Sequence, residues 1–308
     1  MSSIASSASA SNGTSGTKAG FVTIVGRPNA GKSTLLNRLV GERLAIVSPK
    51  PQSTRDRVVG ILTDETSQIV LLDTPGLLEP RYGLHKAMQH AAQKAIADAD
   101  VIVYLVDASE DLPGDLVALA ALPRAPKAPV LLVLNKADRI DDQRRVELAG
   151  RFPEALFLAG GTGDGVDTLL AAVRERLPES PFLYDADDVS TQQLRFFVGE
   201  FLREVVLEQL DDEVPYGIAV EIEEFREGRD PVYIRAVMHV ERESQKRIVI
   251  GEGGSRIKAI GQAARSRIEP LVGSKIFLDL WVKVLPNWRK NAASLARLGY
   301  RLPEEKSS

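Results

Sequence analysis

The chain has 308 residues, 44% of them hydrophobic and 26% charged, with a formal net charge of −3. That is an ordinary globular composition, long enough for two domains. It holds no cysteine and only His85, His90 and His239, which excludes disulfides, thiolate metal sites and cysteine nucleophiles and leaves little room for a histidine-built structural metal. No apolar run reaches the ~18 residues of a bilayer span, and no basic stretch leads into an apolar leader core, so a cytoplasmic protein is expected.

Residues 1–17 are mostly Ser, Ala, Gly and Thr and carry no charge, the composition of a disordered tail. From residue 18 to 177 short apolar runs alternate with helical patterns. Strands are predicted at 21–26, 58–64, 68–73, 101–106, 130–134 and 155–158, and helices at 32–41, 85–98, 114–122, 143–149 and 166–176. Near-continuous apolar strands such as VIVYLV suit a sheet covered on both faces, so the class is α/β with a mostly parallel sheet. The second and third strands are too close for a helical crossover and read as an antiparallel hairpin at one edge.

Prolines and acids break the pattern at 178–190, read as a linker. A smaller α+β domain is expected over 191–302: a helix at 191–210, strands at 216–224 and 231–240, a helix–glycine turn–helix at 244–271, a strand at 275–285 and a C-terminal helix. In that last strand Ile276, Leu278, Leu280, Val282 and Val284 alternate with Phe277, Asp279, Trp281 and Lys283, one set on each face. From Val237 onward 14 Lys and Arg stand against 7 Asp and Glu. This basic balance fits a polyanionic partner, the alternative being a solvated surface.

Gly26-Arg27-Pro28-Asn29-Ala30-Gly31-Lys32-Ser33, followed by Thr34, matches GxxxxGKS between a strand and a helix. Such a loop turns backbone N–H groups and a helix N-terminus toward phosphates. Lys32 can reach the β- and γ-phosphates, and the Ser33 hydroxyl can ligate Mg²⁺. After the strand IVLLD come Asp73, able to hold Mg²⁺, and Gly76, able to offer its N–H to a γ-phosphate. Thr54, within Gln52-Ser53-Thr54-Arg55-Asp56, can complete the Mg²⁺ shell; the alternative is a turn-capping hydroxyl. In Asn135-Lys136-Ala137-Asp138 the carboxylate of Asp138 can accept both N1–H and N2–H₂ of guanine, which adenine cannot offer. Asn135 can tie this loop to the phosphate loop, and Lys136 can lie along the base.

These motifs in this order resemble the translation-factor branch of P-loop GTPases. GRPNAGKSTLLNRL, QSTRD and DTPGL look like its Era-type group. Gly251-Glu252-Gly253-Gly254 between two helical patterns resembles the GxxG loop of a type II KH domain, with Arg247, Arg256 and Lys258 placed to meet RNA phosphates. The resemblance runs from about residue 20 to 302. It implies binding of the 3′ end of 16S rRNA in small (30S) subunit assembly; the motifs themselves imply GTP/GDP and Mg²⁺ as ligands with Lys32, Thr54 and Gly76 as catalytic candidates, and with no coiled-coil signal a monomer is expected. The resemblance also implies peripheral association with the inner face of the membrane, for which no segment is evident.

Two departures stand out. The last guanine loop, where the group carries Ser-Ala, here reads Ala159-Gly160-Gly161, so guanine contact rests on main chain and weaker nucleotide affinity is expected. Glu252 puts an acid inside the GxxG loop. Many GTPases carry a glutamine after DxxG; Leu77 stands there and cannot orient water, so slow intrinsic hydrolysis is expected. Asn29 can ligate K⁺ in compensation, or make a local hydrogen bond. Two other readings remain: a GTPase partner in tRNA modification, which a KH-like half disfavours, and an RNA-binding module that senses nucleotide without useful turnover.

Overall fold

The computed structural model describes residues 16–303, so residues 1–15 of the expected tail lie outside it. The first sheet has six strands in the order β2-β3-β1-β4-β5-β6. They are β1 Lys18–Val25, β2 Val58–Thr63, β3 Ser67–Asp73, β4 Val101–Asp107, β5 Val130–Asn135 and β6 Leu156–Phe157. All pairings are parallel except the β2–β3 hairpin. Helices α1 Lys32–Val40 and α5 Val166–Arg176 cover one face, and α2 Gly83–Ala97, α3 Leu116–Leu119 and α4 Asp142–Arg151 cover the other. Alternation along β4 divides the cores: Val101, Val103 and Leu105 pack toward α1, while Ile102, Tyr104 and Val106 pack toward α2 and α4.

The second sheet is β7 Ala219–Arg226, β8 Val232–Val240 and β9 Ile276–Val284, in that order, with β8–β9 parallel. Helices α6 Leu194–Gln209, α7 Glu243–Ile250 and α8 Ser255–Val272 cover one face through Val198, Leu202, Val249, Ile260 and Ala264. The short α9 Ala292–Arg297 packs elsewhere. With Trp288 it meets Leu84 and Met88 of α2 in a separate apolar cluster between the two sheets.

Three predicted elements shrink or shift. The helix expected at 114–122 is only Leu116–Leu119, capped by the Asp115 side chain at its start and stopped by Ala121 at φ 49°. The strand expected at 155–158 is two residues long at the sheet edge. The strand expected at 216–224 begins at Ala219, because Pro215–Gly217 forms a 3₁₀ turn with proline at its first position. Residues 178–190 run along the outer hairpin. The Ile61 N–H donates to Val189 O at 2.9 Å, and Ser190 Oγ donates to Val59 O at 2.6 Å. Gln68 Oε1 accepts from Leu183 N and Tyr184 N, so this segment covers the free edge of β2.

Candidate functional site

The phosphate loop leaves β1 at Gly26, where a Cβ would strike the Leu105 carbonyl, and enters α1 through Gly31 at φ 95°. Both positions require glycine. Lys32 Nζ folds back onto the carbonyls of Arg27 (3.0 Å) and Gly26 (3.3 Å). Three oxygens converge beside it. Ser33 Oγ donates to Asp73 Oδ2 at 2.7 Å and lies 3.0 Å from Thr54 Oγ1, which donates to the same carboxylate oxygen at 3.3 Å. Asp73 Oδ1 is buried with no partner. Burial pushes the Asp73 carboxyl up against the opposing charge of Lys32, and burial lowers Lys32. One buried carboxylate with a free oxygen, two hydroxyls and one buried ammonium fit a divalent cation beside a polyphosphate.

Gly76 packs so closely on Pro28 that a Cβ would sit 2.7 Å from its nitrogen. Leu77 donates its N–H to Gly26 O at 2.9 Å and buries its side chain in the core beneath. Asn29, at φ 63°, donates its amide to Pro49 O at 3.2 Å, a bond to the neighbouring loop rather than within its own.

At the end of β5, Asn135 joins three loops. Its Nδ2 donates to Ala30 O at 2.7 Å, and its Oδ1 accepts from Gly160 N at 2.9 Å. The Gly160 N–H is thereby engaged, and a guanine O6 would have to share it or be met by Gly161. Lys136, at φ 58°, pairs with Asp107 of β4. Burial raises Asp107, but bonds from Lys136 and Ser109 outweigh it and hold the carboxyl below its usual range. Asp138 stands exposed in the turn Ala137–Arg139. Ala159 is buried and its N–H bonds Asp164 O at 2.9 Å, which braces the last loop without a serine.

In the second domain α7 ends at Gly251, where a Cβ would lie 2.8 Å from Arg256 N, whereas Gly253 and Gly254 at φ 57° and 80° face open space. Glu252, Arg247, Arg256 and Lys258 are all exposed around this turn. Beside it Ile257, Lys258, Gly261, Arg265, Leu278 and Leu280 line a groove of about 370 Å³ between α8 and β9. Only Lys258 of these is a site residue in the sequence reading, which places Leu278 and Leu280 merely on one face of the last strand.

Sequence reasoning also missed what Arg55 does. The residue next to Thr54 is buried in the second domain, donating to the carbonyls of Ile218 (2.6 Å), Tyr216 (3.0 Å) and Pro215 (3.4 Å). Nearby His85 Nδ1 accepts from Arg81 N, so its Nε2 carries the proton and donates to Gln52 Oε1 at 3.0 Å.

A phosphate loop, a converging metal-type triad and a guanine-type loop on one sheet, joined to a helix–GxxG–helix on another, define a P-loop GTPase fused to a KH domain. Residues 21–136 match the family described as 50S ribosome-binding GTPase, and 213–289 match the KH domain. The chain is 41% identical to GTPase Era of Alkaliphilus metalliredigens over 92% of its own length and 99% of the relative's. It is 42% identical to GTPase Era of Ectopseudomonas mendocina over 92% and 97%. Among solved structures, a point variant of Aquifex aeolicus Era bound to GDP·AlF₄⁻ aligns at TM-score 0.85 and 36% identity, covering 92% of this chain and all of that one. Era in complex with MgGDPNP and nucleotides 1506–1542 of 16S ribosomal RNA aligns at 0.85 and 37%, covering 93% and 100%. The chain belongs to the GTPase Era family and is a GTPase.

Proposed function

We propose that this GTPase is a GTP-driven switch that binds the 3′ end of 16S rRNA and acts in assembly of the small ribosomal subunit. The observation that carries the switch is the adjacency of Thr54, in the oxygen triad, to Arg55, buried in the second domain. A γ-phosphate that orders one must position the other. The RNA reading is supported by the exposed basic residues around 251–254, the groove beside them and the full-length likeness to the RNA-bound Era.

The proposed roles are as follows. Gly26, Asn29, Ala30, Gly31 and Thr34 frame the phosphates. Lys32 swings from the loop carbonyls to the β- and γ-oxygens, and Gly76 offers its N–H to the γ-phosphate. Ser33, Thr54 and Asp73 hold Mg²⁺, which when bound neutralises charge on the phosphate oxygens. Asn135, Lys136, Asp138, Ala159 and Gly160 form the guanine site. Leu77 is apolar and buried and does not orient water, so intrinsic turnover is slow, and the Asn29 side-chain oxygen is left to take K⁺. Arg247, Arg256 and Lys258 meet RNA phosphates around 251–254. We propose domain limits of 18–177 and 191–302 with 178–190 as connector, a monomer, and a cytoplasmic site of action. Association with the inner face of the membrane rests on the family resemblance. No described helix is long and apolar enough to cross a membrane.

The test is RNA affinity for the 16S 3′ end with GDP and with a non-hydrolysable GTP analogue, alongside phosphate release with and without RNA. Equal affinities in the two nucleotide states would leave only an RNA binder carrying a GTPase. Crosslinking that recovers tRNA instead would favour the tRNA-modification reading.

A further inference from the structure

The KH sheet has a second face that the groove does not use. On β9, Leu278 and Leu280 turn toward the groove, so Phe277 and Trp281 turn the other way, where they are 57% and 52% exposed. Large aromatics this exposed are costly in water, and here they are held in place. Tyr233 of β8 stacks on Phe277 with centroids 5.9 Å apart and planes at 11°. Tyr233 is itself braced: Arg226 and Arg235 lie over its ring, and its hydroxyl donates to Asp279 Oδ2 at 2.8 Å. Arg235 bonds Asp279 at 3.0 Å and Glu224 at 2.7 Å. Burial raises the Asp279 carboxyl, but hydrogen bonds from Tyr233, Trp281 and Arg235 outweigh it and hold it below the usual range. This network holds the Phe277 ring in place before anything binds it, and Trp281 stands on the same face four residues on.

We propose that this face is a base-stacking platform on which single-stranded RNA leaving the GxxG groove continues, with bases laid on Phe277 and Trp281.

The occupant follows from placement and charge. β9 is an edge strand, with the groove on one face and the two rings on the other. A GxxG groove clamps about four nucleotides, so a longer strand passes over that edge. Four residues apart on a strand, the rings stand about 13 Å from each other, the reach of two extended nucleotide steps. Lys275, Lys283 and Arg226 rim the platform in pairs with Glu269, Glu223 and Glu224, and Arg235 pairs with Asp279 and Glu224, so the face is charge-balanced and stacking carries the binding. A base therefore meets no uncompensated carboxylate there. Sheet aromatics serve this purpose in other single-strand binders.

The proposal rests on the RNA reading above, and the chain supplies its own probe. Its two tryptophans differ completely: Trp281 is half exposed, and Trp288 is fully buried with its N–H bonded to Gly217 O. The full-length protein is titrated with single-stranded RNAs of about four and about twelve nucleotides from the 16S 3′ end, reading tryptophan emission and affinity. Expected is quenching by the longer strand and not by the shorter, lost in Trp281→Phe, whose changed ring leaves Trp288 as the sole emitter. Phe277→Ala and Trp281→Ala each weaken the longer RNA by roughly 5- to 150-fold, the range for one stacked base. They leave the short RNA and the salt dependence unchanged, because neither ring faces the groove or carries charge; each removes a half-buried ring, so affinities are compared well below the variants' melting temperatures. Longer RNA that binds without quenching, or alanine variants that bind it as wild type, overturn the platform. Emission that shifts with protein concentration in the absence of RNA assigns the face to a second copy and also overturns it. If neither RNA binds, the failure is of the RNA reading itself.

Discussion

Replacing Arg55 by alanine should uncouple the two domains without emptying the nucleotide site. Arg55 is 4% exposed and reaches 160 residues along the chain to three carbonyls at Pro215, Tyr216 and Ile218, with its guanidinium 5.8 Å from the Trp288 ring centre. A hydrogen bond to a charged group contributes about 1.5–3 kcal/mol. The 2.6 and 3.0 Å bonds count fully, and the one at 3.4 Å counts little. Loss of the side chain therefore weakens the docked arrangement by about 3–5 kcal/mol, a shift of at least a hundredfold in the docking equilibrium. Arg55→Lys should rescue only part of this, since one ammonium cannot reproduce the planar fork. RNA affinity measured with GDP and with a GTP analogue gives the coupling directly, and wild type should show a ratio in the roughly 5- to 150-fold range. The variant ratio should fall to near one while GTP affinity changes little. The chain lacks cysteine, so Val146→Cys and Ser266→Cys, both at exposed positions, report the interdomain distance after spin labelling. An unchanged affinity ratio together with an unchanged distance would refute the reasoning.

Asp138→Asn should cost several kcal/mol for GTP and shift preference toward xanthine nucleotides, because the amide donates where the carboxylate accepted; competition binding with XTP checks it. His85 is buried beside Arg289, Arg81 and Arg55, and burial first, then these charges, lowers its pKa from 6.5 to about 4. Its neutral form is therefore favoured in the folded state. Stability should be level above pH 6.5 and fall by up to about 3 kcal/mol as pH drops toward 4, when the unfolded chain takes the proton first. Thermal melts of wild type and His85→Gln across that window should diverge; parallel curves would dismiss the idea. Gly251→Ala should damage the GxxG turn itself, since its Cβ meets Arg256 backbone, whereas Gly253→Asp should fold and lose RNA. Glu252→Lys should tighten RNA binding and steepen its salt dependence. K⁺ should stimulate hydrolysis over Na⁺ through Asn29, and equal turnover at matched ionic strength would remove that role.

The local chemistry of this protein was legible in its sequence. Strand runs such as VIVYLV, the glycines of GRPNAGKS and the alternation of residues 276–284 all describe what a residue does relative to neighbours a few positions away. Strand–loop–helix geometry depends on that range alone, so the predicted α1, α5 and β9 nearly coincide with the observed ones. The convergence of Ser33, Thr54 and Asp73 was legible too, because each motif carries its own place on the sheet. Tertiary structure alone decided where Arg55 goes, that His85 holds Gln52, that residues 178–190 cover the β2 edge, and that α9 packs with Trp288 onto α2. None of these has a period or a spacing. Each joins groups from tens to more than a hundred residues apart, and is selected only when burial leaves a guanidinium, an amide N–H or an apolar face in need of a partner.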